Sequence, residues 1–215
     1  MKIAVPFFVI PLTLMLGTML PTERRYIFTS VTVALLSLIL FLSGFEKKKT
    51  RARRMVLVSV MTALSVIGRF IPFFKPITAF SIIAATYMGS ECGFLVGSIS
   101  ALVSGIWFGL GPWTPFQMLA WGVIGLFAGY FSQALKKSTV LLLIYGALSG
   151  VLFSLVMDVW TVLSLGTFTP SLYLSAFLTA LPHTLLYSVS NVVFLLFLGK
   201  PLGKKLERIK LKYGI

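Results

Sequence analysis

The fold of this chain is decided by the stretch from Arg69 to Tyr130, RFIPFFKPITAFSIIAATYMGSECGFLVGSISALVSGIWFGLGPWTPFQMLAWGVIGLFAGY. The stretch is apolar enough for lipid and rich in small residues. Two segments interrupt it, FIPFFKP at 70–76 and GLGPWTP at 109–115, and both carry prolines and aromatic residues. Because proline- and glycine-interrupted apolar segments are typical of transport sites, we interpret them as the mouth of a site between transmembrane helices.

The composition of the whole chain indicates an all-α membrane protein. Hydrophobic residues make up 58% of the 215 residues and charged residues 11%, and the mean hydropathy is +0.99. Soluble domains contain about 45–50% apolar and about 25% charged residues. Long apolar runs separated by charges predict transmembrane helices. The length suits one membrane domain and leaves no room for a soluble catalytic domain.

The positive charge is concentrated in three clusters. The formal net charge is +14. Six of the 19 Lys and Arg residues lie in EKKKTRARR at 46–54, two are Lys136 and Lys137, and six lie between Lys200 and Lys212. Since these clusters lie between or after apolar runs, the positive-inside rule places them in the cytoplasm, facing anionic lipid, and we expect no nucleic-acid partner.

The apolar runs divide into an N-terminal pair and a six-helix core. We expect a transmembrane helix pair in 1–45, a basic cytoplasmic linker at 46–54, a substrate-binding core at 55–200 and a basic cytoplasmic tail at 201–215, either an amphipathic helix or disordered. The predicted core helices are Met55–Phe70, Ile77–Met88, Gly93–Phe108, Phe116–Leu135, Ser138–Leu165 and Ser175–Gly199. The loops at 70–76, 109–115 and 166–173 then face outward, and both termini of this multi-pass cell-membrane protein are cytoplasmic.

Small residues recur at helical spacing in three places. Gly93, Gly97, Ala101 and Gly105 share one helix face, and Ser59 with Ala63 and Gly125 with Gly129 form shorter pairs of the same kind. Such faces allow two backbones to approach closely. We favour internal packing for the long face, with docking of a partner helix as the alternative for any of the three.

Few ionisable residues lie within the core helices. Asp158 and His183 fall in the outer parts of the fifth and sixth core helices, and Arg69 ends the first. Because a charge inside a membrane is costly, we expect Asp158 to pair with Arg69 or His183, either at a functional site or in a structural clasp. Asn191, deeper in the sixth helix, is predicted to form an interhelical hydrogen bond.

The tryptophans lie mostly in the outer half of the core. An interfacial aromatic belt is one interpretation of the outer aromatic residues Trp107, Trp113, Trp121, Trp160, Phe73, Phe74 and Tyr173. The alternative is a ligand cavity, because Thr114, Gln117 and Trp121 lie at helical spacing and combine polar with aromatic character.

The sequence offers no metal or redox site. Cys92 is the single cysteine, which rules out an internal disulfide and a cysteine-based metal cluster. We expect no cofactor and no enzymatic activity. An intramembrane serine protease that uses His183 is an alternative, but the nearest serine motifs, LVSG at 102–105 and ALSG at 147–150, lack the first glycine of G-x-S-G.

Three quoted segments carry a family resemblance. The runs GRFIPFFKP, GFLVGSISALVS and FGLGPWTPFQMLAWGVIGLFAG, within residues 55–200, resemble the substrate-binding (S) component of energy-coupling factor (ECF) vitamin transporters, with cobalamin-type members the most similar. The resemblance implies a six-helix protein that binds a vitamin at its outer face and docks on a T component driven by two cytoplasmic ATPases. The N-terminal pair lies outside that pattern.

The resemblance also implies roles for particular residues. Ser59 and Ala63 match small residues of the first helix that contact the T component, and FIPFFKP matches a loop that acts as a lid. The vitamin is expected to be cobalamin, with riboflavin or a queuosine precursor as alternatives, and a stand-alone carrier or scaffold needs no ATPase partner. The candidate substrate-binding residues are Arg69, Phe73, Phe74, Lys75, Trp107, Trp113, Thr114, Gln117, Trp121, Asp158 and His183.

Overall fold

The computed structural model describes residues Leu12 and Thr32 together with the ranges 51–72, 74–165 and 169–214. The predicted helix pair in 1–45 lies outside the described residues except at those two positions. Seven helices occupy the described ranges from residue 51 onward: α1 Arg51–Gly68, α2 Ile77–Met88, α3 Ser90–Phe108, α4 Thr114–Tyr130, α5 Ser132–Lys137, α6 Thr139–Ser164 and α7 Pro170–Tyr213.

The predicted core helices agree with these bounds except in four places. Helix α1 begins at Arg51, so the last residues of the predicted linker at 46–54 form its first turn. The predicted inner connection at residues 90–92 forms the first turn of α3, so only Gly89, whose φ of 110° suits glycine, separates α2 from α3. The fourth predicted helix is divided near Phe131 into α4 and the short α5. The sixth begins at Pro170 and runs without a break through most of the predicted tail to Tyr213, so the tail is helical.

Helix length and composition agree with a membrane protein. Within the described ranges, α3, α6 and α7 are each long and apolar enough to cross a bilayer. The 44 residues of α7 correspond to a helix of about 66 Å, at about 1.5 Å per residue, against a hydrocarbon core of about 30 Å. The basic C-terminal part of α7 therefore extends past the apolar layer.

The short helix α2 lies at the centre of the bundle. Its sequence ITAFSIIAATYM is apolar on every side, which is typical of a helix with neighbours all round. Every residue of α2 except Tyr87 is buried, and α2 packs against α1, α3, α4 and α7. A 12-residue helix can occupy this position because protein, rather than lipid, surrounds its ends.

Helices α3 and α4 pack backbone to backbone, and their interface is the most extensive in the bundle. A side chain at Gly125 would collide with the backbone of Gly93, and one at Gly97 would collide with the backbone of Trp121. The Ser98 hydroxyl also donates to the Met118 carbonyl across the interface at 2.9 Å. The long small-residue face of α3 therefore serves internal packing, as predicted, and so does the Gly125–Gly129 face of α4.

Polar side chains join the remaining helices. Ser65 of α1 donates to Ser100 of α3 at 2.8 Å. Between α6 and α7, Thr184 donates to Ser154 at 2.6 Å, and the Asn191 amide donates to the Gly146 carbonyl at 3.0 Å. The predicted interhelical role of Asn191 is therefore confirmed. Such bonds are a main source of specificity between helices in lipid, where apolar contact alone discriminates little.

The two ends of the bundle differ in character. The loop end carries the connections 69–76, 109–113 and 165–169. The basic end carries the start of α1, helix α5 and the end of α7, where Arg53 donates to the Tyr213 carbonyl at 2.8 Å and Lys136 lies 3.7 Å from Glu207. The structure thus gathers the described parts of all three basic clusters at one end of the molecule, as the topology prediction requires.

The backbone contact between α3 and α4 generates a stability prediction. We expect Gly125→Ala to lower the apparent Tm in detergent by roughly 3–10 °C, because overpacking a close interface costs about 1–3 kcal/mol. Gly199→Ala is the matched control, since its new methyl group would meet only the flexible Leu142 side chain, at 3.2 Å. A thermal scan in which both variants melt together would contradict the close-packing argument.

Candidate substrate site at the loop end

Arg69 lies at the loop end, one residue beyond α1. Its Nη1 donates to the Ser104 hydroxyl of α3 at 2.6 Å. The guanidinium carbon lies 4.6 Å from the ring centre of Phe108 and 5.8 Å from that of Trp121. Cation–π contacts of this kind strengthen when the cation is partly withdrawn from water. Arg69 is thus held at the junction of α1, α3 and α4.

Next to Arg69, three aromatic side chains from α4, α6 and α7 contact one another in sequence. We call these residues, Trp121, Phe153 and Tyr187, the aromatic column. Trp121, only 1% exposed, stacks on Phe153 of α6 with ring centres 4.7 Å apart. Phe153 in turn contacts Tyr187 of α7 at 4.8 Å. Of these three residues only Trp121 was a sequence candidate. Phe153 and Tyr187 lie within long apolar runs that give no signal beyond membrane insertion, so sequence reasoning missed both.

The end of the loop at 69–76 contacts α7 through Phe74 and Lys75. The backbone N–H of Lys75 donates to the buried Ser190 hydroxyl at 2.8 Å, and Phe74 packs edge-on against Phe194 at 5.8 Å. Phe73 lies outside the described residues. The described residues of the loop therefore run from the end of α1 to the face of α7.

Several buried polar atoms in this region have no hydrogen-bond partner among the described residues. They are Arg69 Nε, Trp121 Nε1, Asp158 Oδ2 and Asn191 Oδ1. Most buried polar atoms in folded proteins are paired, so unpaired ones require an explanation. Arg69 Nε and Trp121 Nε1 are open donors at the aromatic column, and a bound polar molecule would satisfy them.

The predicted pairing of Asp158 is wrong. Within the described residues Asp158 forms no ion pair with Arg69 or His183, although its side chain is buried. His183 is exposed, because its neighbour Thr184 is the residue directed at α6 and adjacent residues of a helix point about 100° apart. The described residues show no hydrogen bond between His183 and a serine, and the protease alternative stays a hypothesis.

Three other candidates near the 109–115 turn have mainly structural positions. The buried Thr114 hydroxyl accepts from the Gly111 backbone N–H at 3.0 Å and so closes the turn. The ring of Trp113 lies over Gly111, and Trp107 is 60% exposed and meets Phe70 edge-on. The belt interpretation suits Trp107, whereas Trp121 belongs to the interior. Gln117, one turn before Trp121 on α4, is half-buried.

The docking candidates lie on a different surface. Ser59 and Ala63 are both exposed on α1, beside the exposed Val56, Val60 and Ile67. This stripe has the small residues and the apolar flanks that a second membrane helix needs for close approach. Nothing on the stripe overlaps the loop-end site.

Comparison with known proteins addresses the family directly. Residues 49–208 match the family model described as ECF-type riboflavin transporter, S component. The chain belongs to this family. No curated protein matches the chain, and no solved structure matches it.

Family membership confirms the resemblance to ECF S components. The chain is a substrate-specific membrane subunit of an ECF transporter. The family name refers to riboflavin and not to cobalamin, so the cobalamin expectation stays a prediction. As an S component, the chain needs a site for its substrate, and the loop end is the candidate because Arg69 meets the aromatic column there.

Proposed function

We propose that this S component captures riboflavin, or a vitamin with a similar flat ring system, at the loop end. The observation that carries the proposal is the aromatic column formed by Trp121, Phe153 and Tyr187, bordered by unpaired buried polar atoms. The family description supports the same substrate class.

The chemistry of the site suits a fused heterocycle. Aromatic side chains hold flat rings by offset or edge contacts worth about 0.5–1.5 kcal/mol each beyond burial. The ring system of riboflavin bears carbonyl oxygens and ring nitrogens that accept hydrogen bonds, and one ring N–H that donates. Trp121 Nε1 and Arg69 Nε are open donors, and Asp158 Oδ2 and Asn191 Oδ1 are open acceptors. Rings with a few placed polar groups are the usual composition of a small-molecule site.

The loop at 69–76 is proposed to cover the bound vitamin. Phe74 and the backbone of Lys75 hold it against α7, and these are the contacts that must open to admit a ligand. Both are local and few, so the loop can open without disturbing the α3–α4 interface.

The exposed stripe around Ser59 and Ala63 is proposed to dock on a T component that is driven by two ATPases. The substrate then passes inward when that complex turns over ATP. The stripe and the site lie on separate surfaces of α1 and the loop end, so capture does not require the partner.

Equilibrium binding tests the substrate proposal. We expect the purified protein in detergent to quench riboflavin fluorescence with an affinity on the order of nanomolar, without ATP. Cobalamin, followed by its own absorbance, is the comparison ligand. Binding of cobalamin without binding of riboflavin would reject the proposal in favour of the vitamin expected from sequence.

A pair of variants tests the position of the site. Asp158→Leu removes both carboxylate acceptors while keeping a similar buried volume, so we expect riboflavin affinity to fall at least about tenfold. His183→Ala is the control, because its side chain is exposed on α7, and we expect less than about a twofold change. The site is misplaced if both variants bind riboflavin like the unmodified protein.

A second pair of variants tests the docking surface. We expect Ser59→Leu combined with Ala63→Leu to reduce copurification with a co-expressed T component at least about tenfold, because two large side chains prevent close helix approach. Thr179→Leu, an exposed polar-to-leucine change on α7, should leave copurification intact. Equal recovery of the T component with both proteins would exclude the α1 stripe as the docking surface.

A further inference from the structure

A groove opens at the basic end of the bundle, between the start of α1 and the end of α7. Its cavity has a volume of about 380 Å³ and is lined by Arg53, Val56, Leu57, Ile209 and Tyr213. The lining residues of each helix lie at helical spacing, so each helix turns one face toward the groove. Since α1 and α7 are not among the extensively packed helix pairs of the described structure, there is room between them here.

The groove has a polar rim and an apolar interior. Arg53 and Tyr213 form the rim, where Arg53 Nη1 donates to the Tyr213 carbonyl at 2.8 Å and the guanidinium carbon lies 5.6 Å from the centre of the Tyr213 ring. Val56 and Leu57 come one turn after Arg53 on α1, and Ile209 comes one turn before Tyr213 on α7. Because α1 starts and α7 ends at the basic end, these apolar side chains lie about 5 Å deeper in the molecule than the rim.

The rim carries a positive charge that no acidic side chain of the described ranges balances. The Arg53 side chain is exposed, and its hydrogen bond goes to a neutral carbonyl oxygen. Glu207, the acidic residue of α7, lies 3.7 Å from Lys136 instead. A guanidinium presents five N–H donors in a planar fork, which suits the oxygens of a phosphate group. The rim is therefore chemically suited to a phosphate.

The shape and polarity of the groove fit an anionic phospholipid. A transmembrane helix is about 10–12 Å across with its side chains, which is too wide for a cavity of this volume, whereas an acyl chain is slender. A phospholipid has a charged phosphate followed by apolar chains, which is the order of the groove from its rim inward. The basic end is expected on the cytoplasmic side, where anionic lipids attract basic segments.

We propose that this groove binds one anionic phospholipid, with the phosphate on Arg53 and part of an acyl chain against Val56, Leu57 and Ile209. The site goes beyond a general attraction of basic clusters to lipid, because it selects one molecule by its charge and by its chain. Val56 also belongs to the exposed stripe around Ser59 and Ala63. The bound lipid therefore borders the proposed docking surface and lies at the opposite end of the bundle from the vitamin site.

Native mass spectrometry of the full chain in detergent tests the charge requirement. In titrations with phosphatidylglycerol and phosphatidylcholine of the same acyl chains, we expect the first phosphatidylglycerol to bind at least about tenfold more tightly. Arg53→Gln should remove most of this preference, because it deletes a charge-assisted contact to the phosphate, and Arg53→Lys should keep most of it. Arg208→Gln is the matched control, since it removes the same charge from an exposed position of α7 outside the groove, and we expect less than about a twofold change.

A second pair of variants tests the apolar part of the site. Ile209→Trp fills the groove without changing the charge, so we expect the affinity for phosphatidylglycerol to fall at least about tenfold. Leu211→Trp is the control, because Leu211 is 80% exposed and does not line the groove. Helix content by circular dichroism verifies that each variant is folded.

Three outcomes would overturn the lipid site. Equal losses in Arg53→Gln and Arg208→Gln would reduce the effect to general surface attraction. Displacement of phosphatidylglycerol by an equal concentration of glycerol phosphate would assign Arg53 to a free phosphate. Unchanged phosphatidylglycerol binding in Arg53→Gln and Ile209→Trp, together with reduced copurification of a T component, would assign the groove to a protein partner. Riboflavin binding is measured separately, so the proposed function does not depend on this result.

Discussion

The close approach of α3 and α4 is the constraint on which the rest of the structure depends. Their backbones meet at Gly93 and Gly125, and Gly97 lies against the carbonyl of Trp121. No larger residue fits at these positions without separating the helices. The contact sets the depth and rotation of Trp121, and through its stack with Phe153 it also sets the position of α6 at the site. The small residues thus position the side chains of the aromatic column by letting the helix backbones approach closely.

Hydrogen bonds between helices explain how an apolar sequence specifies one arrangement. In lipid, apolar side chains gain little from choosing one neighbour over another, whereas a buried hydroxyl or amide needs a particular partner. Ser65 with Ser100 and Thr184 with Ser154 meet this need in the body of the bundle. Towards the loop end the pairing is incomplete, and unpaired atoms remain on Arg69, Trp121 and Asp158. The open polar atoms on Arg69, Trp121 and Asp158 are the ones that the proposed ligand would satisfy.

Electrostatics distinguish the two ends in a second way. At the basic end the cations are numerous, mostly exposed and partly paired, as Lys136 is with Glu207. At the loop end Arg69 and Lys75 are partly buried and unpaired within the described structure. Exposed cations interact with lipid headgroups at little cost, whereas partly buried ones need a compensating group. The cations of the two ends therefore differ in their burial and in the charges near them.

The sequence by itself determined the membrane class, most of the helix positions from residue 51 onward and the gathering of the basic clusters at one end. Apolar runs and basic clusters report insertion directly, because each residue contributes to transfer into lipid independently of the fold. The family resemblance, carried by the 69–130 stretch, was likewise readable from residues alone. Only the tertiary structure decided which polar residues meet. It separated Asp158 from Arg69 and His183, used Thr114 to close a turn, continued α7 through the tail and brought Phe153 and Tyr187 into one stack with Trp121. Which polar side chains of two helices meet depends on the rotation of each helix about its axis. Packing against neighbouring helices sets that rotation.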